Sequence, residues 1–107
     1  MRRGDLVTVA LQGDLGKLRP ALIIQSDLFD LHPSLAILPI TSELRDAPLF
    51  RIDVHASKLN GLSRKSQVMV DKPQSISREK VGEVFGHLED EAMLTVNRAL
   101  AVFLGFA

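Results

Sequence analysis

Arg19 is the first candidate for chemistry in this sequence, because a planar guanidinium can donate to two oxygens of a phosphate at once. It stands at the end of a short loop, directly before an apolar segment that begins at Ala21, and this position would hold its backbone in place. The alternative is a purely structural role, in which Arg19 pairs with a nearby carboxylate such as Asp14. Residue type and position alone leave both interpretations open.

Thr41 and Ser42 end a third apolar segment, and each offers a hydroxyl group. A hydroxyl there can hydrogen-bond a phosphate, or orient a reacting hydroxyl of a substrate, without adding charge. The same side chains are also typical caps of the turn that follows a strand. The sequence therefore predicts either a binding role or a turn-capping role for this pair.

Asp71 ends another apolar segment, and period-two alternation places it on the same face as Gln67 and Met69. A carboxylate there could accept a proton, or could form the turn with Pro73, where aspartate is favoured. Lys17 could contact phosphate as a point charge, although exposed lysines are usually only solvated surface residues.

The three histidines are scattered along the chain, and their spacing matches no metal-binding pattern: His32, His55 and His87. Cysteine is absent, which excludes thiolate metal sites, disulfides and thiol nucleophiles and is compatible with a reducing cytoplasm. The sequence therefore predicts a cytoplasmic protein that uses no metal and no other cofactor.

The segments that must position these side chains are short and either apolar or alternating, as strands are. Five of them and a shorter sixth occupy residues 6–11, 21–25, 35–41, 50–54, 67–71 and 75–78. Pro39, inside the third segment, favours an edge strand or a bulge. Residues 26–31 predict one short helical turn, capped by Ser26 and stopped before Pro33.

The last segment changes to a helical period. Its apolar residues fall on one face: Leu88, Ala92, Val96, Ala99, Leu100 and Phe103. Acidic residues 89–91 suit the N-terminal end of a helix, and Gly105 suits its stop. The sequence thus predicts a mainly β fold with a C-terminal helix, in which the helix packs on a small, strongly curled antiparallel sheet or half-open barrel of five to six strands.

The composition is that of an ordinary globular domain, with 46% hydrophobic and 24% charged residues. The 107 residues correspond to a single domain spanning 1–107. Thirteen basic side chains balance thirteen acidic ones, so an anionic ligand must be held by local groups and not by a bulk positive field. No apolar run approaches the roughly 20 residues that span a bilayer, and no membrane partner is expected.

Three segments of the chain form a combination that is more specific than any one of them. The first joins residues 3–7 (RGDLV) to 19–24 (RPALII), the second is 38–42 (LPITS), and the third joins 70–76 (VDKPQSI) to 84–88 (VFGHL). In this order, and over nearly the whole chain, they resemble the MazF/PemK family of toxin endoribonucleases from bacterial toxin–antitoxin pairs.

The resemblance implies an SH3-like barrel with a C-terminal helix, a homodimer, and a cognate antitoxin whose disordered tail folds across the RNA groove. It also implies sequence-selective cutting of single-stranded RNA without a metal, by attack of the 2′-hydroxyl on the adjacent phosphate. DNA would be bound only through the antitoxin complex.

Roles for individual residues follow from the same resemblance: Arg19 would stabilise the phosphorane, Thr41 would orient the substrate and Asp71 would be the base. Some family members pair that base with an arginine two residues earlier, but Met69 occupies this place here and cannot transfer a proton. This departure leaves open slow cleavage, a different acid, or lost activity. The further RNA contacts expected are Lys17, Ser42 and Gln67.

Two other functions remain open at this level. A CcdB-like toxin on the same barrel would bind a protein target such as DNA gyrase and would need interface residues but no proton-transfer pair. A catalytically dead relative would survive as a partner or regulator. Met69 favours the binding protein slightly, whereas the Arg19-Pro20 and Pro-Ile-Thr-Ser matches favour the nuclease.

Overall fold

The computed structural model describes residues 1–11 and 17–107. These residues form seven strands and one α-helix, in the order β1 (Asp5–Ala10), β2 (Leu18–Ile23), β3 (Ser34–Thr41), β4 (Arg51–Val54), β5 (Ser66–Met69), β6 (Gln74–Ser77), β7 (Val81–His87) and α1 (Asp90–Leu104). The predicted short turn is confirmed as a 3₁₀ helix over Asp27–Phe29, and the hydroxyl of Ser26 accepts from the Leu28 N–H to cap it. Within the described ranges, no helix is long and apolar enough to cross a membrane.

The strands pair antiparallel in the order β4-β5-β3-β2-β1-β7, and β6 pairs with the first half of β3. The predicted curled sheet with a C-terminal helix is confirmed, with one strand more than expected. Since β4 and β7 end the path of paired strands, the barrel stays open.

β3 is the central strand, which corrects the edge position predicted from Pro39. On one side β3 pairs with β2, and on the other it pairs with β6 as far as Ile37 and with β5 from Ile40. Ala36 O accepts from the Ile24 N–H on the β2 side, so the alternation of the strand turns the Pro39 nitrogen toward the other side. Pro39 therefore lies in the gap between two ladders, where its missing N–H costs no hydrogen bond.

β7 was not predicted, because its sequence VGEVFGH contains two glycines, which are unfavourable in strands. Each glycine stands where the backbone comes very close to a neighbour. A Cβ at Gly86 would lie 2.1 Å from the backbone oxygen of Asn60, and one at Gly82 would lie 2.3 Å from the Thr8 hydroxyl. The strand therefore depends on tertiary contacts that local propensity does not reveal.

Two apolar clusters occupy opposite faces of the sheet, since neighbouring residues of β1, β2 and β3 alternate between them. The cluster under α1 consists of Leu6, Leu22, Leu38, Ile40, Ile52, Val54, Val68, Val70, Leu88, Met93 and Val96. The other consists of Val7, Val9, Ala21, Ile23, Leu35, Ile37 and Ile76. The sheet thus has an apolar core on both sides, and only the first is covered by the helix.

The helix matches its predicted position, and Gly105 ends it in a left-handed conformation with φ 86°. Val96 is buried as predicted, and Met93, which was not assigned to the apolar face, is buried as well. Phe103 was predicted on the buried face but is 49% exposed. Its neighbours Val102 and Leu104 in the last turn are exposed as well. This turn extends past the cluster that the earlier turns cover.

The N-terminal segment is hydrogen-bonded to the residue after β2, to β7 and to α1. Arg3 donates from Nε to Ile24 O at 2.8 Å and from Nη2 to Asn97 Oδ1 at 2.7 Å. Asp5 accepts from the Arg2 N–H at 2.8 Å and lies 3.0 Å from His87 Nδ1. Burial alone would raise the pKa of Asp5, but the hydrogen bonds to His87 and Arg2 outweigh it and lower the pKa below its ordinary value.

A partly buried polar cluster of Ser57, Asn60 and Glu89 joins the β4–β5 connection to the start of α1. Asn60 is fully buried and donates to His55 O at 2.9 Å and to Glu89 Oε1 at 3.0 Å. The Ser57 hydroxyl donates to Glu89 Oε2 at 2.6 Å. Burial would raise the pKa of Glu89, but the hydrogen bonds from Ser57 and Asn60 outweigh it, so this pKa is lowered.

Glu89→Gln should lower the stability of the fold at neutral pH by about 1 kcal/mol, because charge-assisted hydrogen bonds are lost. A lowered carboxylate pKa stabilises the folded state above the unfolded pKa, and this contribution is lost as the pH falls through the folded pKa. The variant should therefore lose less stability than the parent between about pH 7 and pH 3. Urea unfolding followed by circular dichroism across this range measures both effects.

The matched control is Glu91→Gln, in the same first turn of the helix but exposed. It should lose only the small contribution of an exposed charge near a helix N-terminus and should keep most of the parent's loss of stability on acidification. Identical acid limbs for the Glu89 variant and the parent would contradict the role assigned to this carboxylate.

Candidate active site

A cavity of about 480 Å³ opens where β3 passes from β6 to β5. Its walls come from the ends of β1 and β2, the last part of β3, the β4–β5 connection and the β5–β6 turn. The lining residues are Leu11, Arg19, Pro20, Pro39, Ile40, Thr41, Ser42, Glu43, Leu62, Ser63, Arg64, Ser66, Met69, Lys72 and Gln74.

Arg19 reaches this cavity from β2, where its backbone pairs with Val9 of β1. Arg19 is exposed, so it is accessible to a ligand in the cavity. The carboxylate of Asp14, proposed above as its structural alternative, lies outside the described residues.

Thr41 and Ser42 reach the same cavity from the end of β3. The Thr41 hydroxyl oxygen accepts from the Glu43 N–H at 3.0 Å, which is the turn-capping geometry. A hydroxyl that accepts one hydrogen bond still has its own hydrogen to donate, so Thr41 can cap the turn and contact a ligand together. Ser42 is exposed on the cavity wall.

Met69 and Asp71 are not on one strand face as predicted, because β5 ends at Met69. The Lys72 N–H donates to Met69 O at 3.2 Å and closes a turn that contains Asp71. Met69 lines the cavity, whereas Asp71 is not among its lining residues. Its Oδ1 is buried and has no hydrogen-bond partner among the described residues.

Gln67 is buried and lies outside the cavity lining, with all four hydrogen-bonding positions of its amide occupied. Its nitrogen donates to Arg45 O at 2.9 Å and Asp53 Oδ1 at 2.8 Å. Its oxygen accepts from the Arg45 N–H at 3.0 Å and from Arg51 Nη1 at 3.1 Å. The side chain therefore holds the loop after β3 and has no hydrogen-bonding position left for a ligand.

Lys17 is exposed and directly follows the residues outside the described ranges. It is not among the residues that line the cavity. The structure thus brings together Arg19, Thr41 and Ser42 and leaves Lys17 outside this group.

Six polar residues of the cavity were missed by sequence reasoning: Glu43, Ser63, Arg64, Ser66, Lys72 and Gln74. The available signal was weak, since each lies in a connection or directly after one, where polar residues are common for local reasons. They come from three separate connections and the strand starts that follow them, and only the folded chain places them together. Among the described lining residues, three cationic side chains accompany one carboxylate, a balance that favours an anionic ligand.

The described residues contain no group of three or more His, Asp or Glu side chains placed to hold a metal ion. The polar groups of the cavity are instead guanidinium, ammonium, hydroxyl and amide donors around one carboxylate. Such donors can bind a phosphate and stabilise negative charge that develops on it.

A family model described as "PemK-like, MazF-like toxin of type II toxin-antitoxin system" matches residues 2–104. The chain belongs to this toxin family. The resemblance drawn from the three sequence segments is therefore confirmed, and it covers the strands that carry the cavity as well as the helix.

The toxin aligns over almost its whole length with named relatives. It is 44% identical over 108 residues to a probable endoribonuclease MazF of Mycolicibacterium smegmatis, with 100% of this chain and 99% of the relative covered. It is 27% identical over 110 residues to the endoribonuclease EndoA of Bacillus subtilis, with 97% and 94% covered.

Solved structures share the fold of the toxin. An endoribonuclease in complex with its cognate antitoxin, from a mycobacterial species, has a TM-score of 0.83 at 21% identity and covers 100% of this chain and 97% of that one. A MazE–MazF complex from Deinococcus radiodurans has a TM-score of 0.79 at 22% identity, with 98% and 95% covered. These similarities confirm the predicted barrel-like sheet with its terminal helix.

Proposed function

We propose that this toxin is a sequence-selective endoribonuclease that cleaves single-stranded RNA without a metal, by attack of a 2′-hydroxyl on the adjacent phosphate. The observation that carries the proposal is the cavity in which Arg19, Arg64 and Lys72 meet the hydroxyls of Thr41 and Ser42. Relatives named as endoribonucleases support the same activity.

The residues of the cavity have different roles in the proposed reaction. Arg19 donates to the two non-bridging oxygens on which charge builds in the phosphorane, where fixed cationic donors are most effective. Thr41, with its backbone in the ladder to β5, orients the reacting part of the substrate through its hydroxyl hydrogen. Arg64 and Lys72 hold neighbouring phosphates, and Ser42 adds a neutral contact.

Lys17 and Gln67 do not line the cavity, so their proposed roles differ from those of Arg19, Thr41 and Ser42. Lys17 is exposed outside the cavity and can contact only a more distant phosphate of the chain. Gln67 has a saturated amide, so its contribution is to hold the loop that carries the cavity wall. We therefore propose no direct RNA contact for Gln67.

A cognate antitoxin is the proposed protein partner, as in the complexes named for structurally similar toxins. Its disordered tail would fold across the RNA groove and cover the cations there. DNA is bound only through this complex, and a cytoplasmic site of action belongs to the same proposal, since RNA is available there. The family match and the endoribonuclease relatives favour this function over the CcdB-like alternative.

Arg19→Ala should lower the rate of RNA cleavage on the order of a hundredfold to a thousandfold, because a preorganised cationic donor is lost. The fold should be unaffected, since an exposed arginine contributes little stability. Single-turnover cleavage of a long single-stranded RNA in the presence of EDTA, with mapping of the ends, measures the loss.

Arg98→Ala is the matched control, since Arg98 is an exposed arginine on α1 that does not line the cavity. It should cleave like the parent. An Arg19 variant that cleaves within about threefold of the parent would contradict the phosphate contact, judged against the loss expected for a fixed donor.

Asp71→Asn should have little effect on cleavage, because we assign Asp71 to the turn before Pro73 and not to proton transfer. Met69→Arg should give no gain in rate for the same reason. General acid or base groups contribute about 10² to 10⁴ in rate, so single-turnover assays resolve the two cases. A hundredfold loss in Asp71→Asn, with native circular dichroism and melting temperature, would restore Asp71 as the base.

We propose a homodimer, as the family resemblance implies. Strand β3 pairs on both sides and offers no free edge to a partner, but exposed apolar side chains are present on α1 and after it: Leu94, Val102, Phe103, Leu104 and Phe106. Sedimentation equilibrium at micromolar concentration should return twice the 11.8 kDa mass of the chain. A mass of 11.8 kDa alone would rule the dimer out.

A further inference from the structure

Glu43 is the one carboxylate among the described residues that line the cavity, and no histidine lines it there. The other titratable side chains of this lining are Arg19, Arg64 and Lys72, which are hydrogen-bond donors in their charged forms. Cleavage by a 2′-hydroxyl needs a group that accepts its proton, and only a carboxylate among these can do so. We propose that Glu43 is the general base of this toxin, an inference that rests on the proposed nuclease function.

The backbone of Glu43 is held on both sides. Its N–H donates to the Thr41 hydroxyl at 3.0 Å, and its carbonyl accepts from Arg51 Nη1 at 3.0 Å. Arg51 is only 8% exposed and also donates to the buried amide of Gln67, which in turn clamps both the N–H and the carbonyl of Arg45. The segment from residue 41 to 45 is therefore held by the buried side chains of Arg51 and Gln67.

This arrangement places the base beside the residue that orients the substrate. The Glu43 N–H donates to the Thr41 hydroxyl and both residues line the cavity, so the two side chains start from adjacent points of its lining. Arg51 and Gln67 are positioning residues in this scheme, because they act only through the loop. Fixing a base within hydrogen-bond reach of its proton is the geometric requirement for such catalysis.

The proposed step balances without any further reactant. Glu43 takes the proton from the 2′-hydroxyl, the 2′-oxygen forms a bond to phosphorus, and the bond between phosphorus and the 5′-oxygen breaks. Water protonates the departing 5′-oxygen, and the hydroxide so formed removes the proton from Glu43. The products are a 2′,3′-cyclic phosphate and a 5′-hydroxyl end.

Charged groups come from several of the elements around the cavity and from the loop of Glu43 itself. Arg19 lies on β2, Arg64 in the β4–β5 connection, Lys72 in the β5–β6 turn and Arg51 beneath the loop. Its own segment adds Arg45 and Asp46, and Asp71 occupies the turn next to Lys72. Of the side-chain types that line the cavity, only a carboxylate changes charge on mild acidification. The pH dependence of the rate therefore separates Glu43 from the cations beside it.

The test compares single-turnover cleavage of a long single-stranded RNA transcript by the parent, Glu43→Gln and Glu43→Asp between about pH 3 and pH 7, the range in which carboxylates change charge. At pH 7, Glu43→Gln should lose about 10² to 10⁴ in rate while RNA binding is kept or improved, since one negative charge is removed. The parent rate should fall on acidification, and the Gln variant should lose this dependence. Glu43→Asp keeps a carboxylate and should retain more activity than Glu43→Gln.

Glu83→Gln is the matched control, because it removes the same charge from an exposed position on β7 that does not line the cavity. It should keep the parent rate and the parent pH profile. Native circular dichroism of each variant confirms that the fold is intact.

Cleavage by Glu43→Gln within about threefold of the parent, with the same pH profile, would overturn the assignment of the base while the nuclease function stands. A loss that occurs in Asp71→Asn and not in Glu43→Gln would also overturn it. Absence of cleavage by the parent itself, under conditions where the RNA is bound, would instead overturn the proposed function on which the assignment rests.

Discussion

Strand β3 forms backbone hydrogen bonds with three neighbouring strands. The position of the cavity depends on which part of β3 pairs with which neighbour. β2 takes one side of β3, while β6 and β5 take successive parts of the other side. Around Pro39 the strand has left β6 and has not yet joined β5. The two ladders separate at this point, and residues from both of them, Met69 of β5 and Gln74 of β6, line the opening between them. A proline tolerates this gap because it has no N–H to leave unpaired.

The loop that follows β3, which carries part of the cavity wall, depends on a second constraint, a layer formed by the buried polar side chains of Arg51 on β4 and Gln67 on β5. Arg51 faces Met69 in the ladder, and Asp53 faces Gln67. The amide of Gln67 is saturated, whereas Arg51 Nε is buried without a partner among the described residues. Unpaired buried donors are costly, so this layer does not maximise stability. Its structural result is a loop after β3 whose backbone is hydrogen-bonded to Arg51 and Gln67.

The sequence predicted elements whose signals are local and missed features that arise only from contacts between distant segments. Strand alternation and helical period located six strands and the helix, and the position of Arg19 before an apolar segment indicated its place at the site. Period-two alternation failed at Asp71 because β5 stops at Met69 and a turn follows. β7 was missed because its glycines are required by close contacts with residues of other segments, such as Asn60. The local sequence does not show these contacts. Glu43 and Lys72 lie in separate connections, and nothing in their own segments indicates that they meet.

The ties of the N-terminal segment also govern the order in which the protein can fold. Asp5 contacts His87 and Arg3 contacts Asn97, pairs separated by 82 and 94 positions in the chain. Closing such long loops costs chain entropy before the contacts repay it, and folds rich in distant strand pairs form on the slower scale of milliseconds to seconds. During synthesis, the strands that carry the cavity leave the ribosome before β7 and α1, which complete the sheet and cover Leu6 and Leu22. The cavity can therefore become a rigid site only after the last elements of the chain have been made.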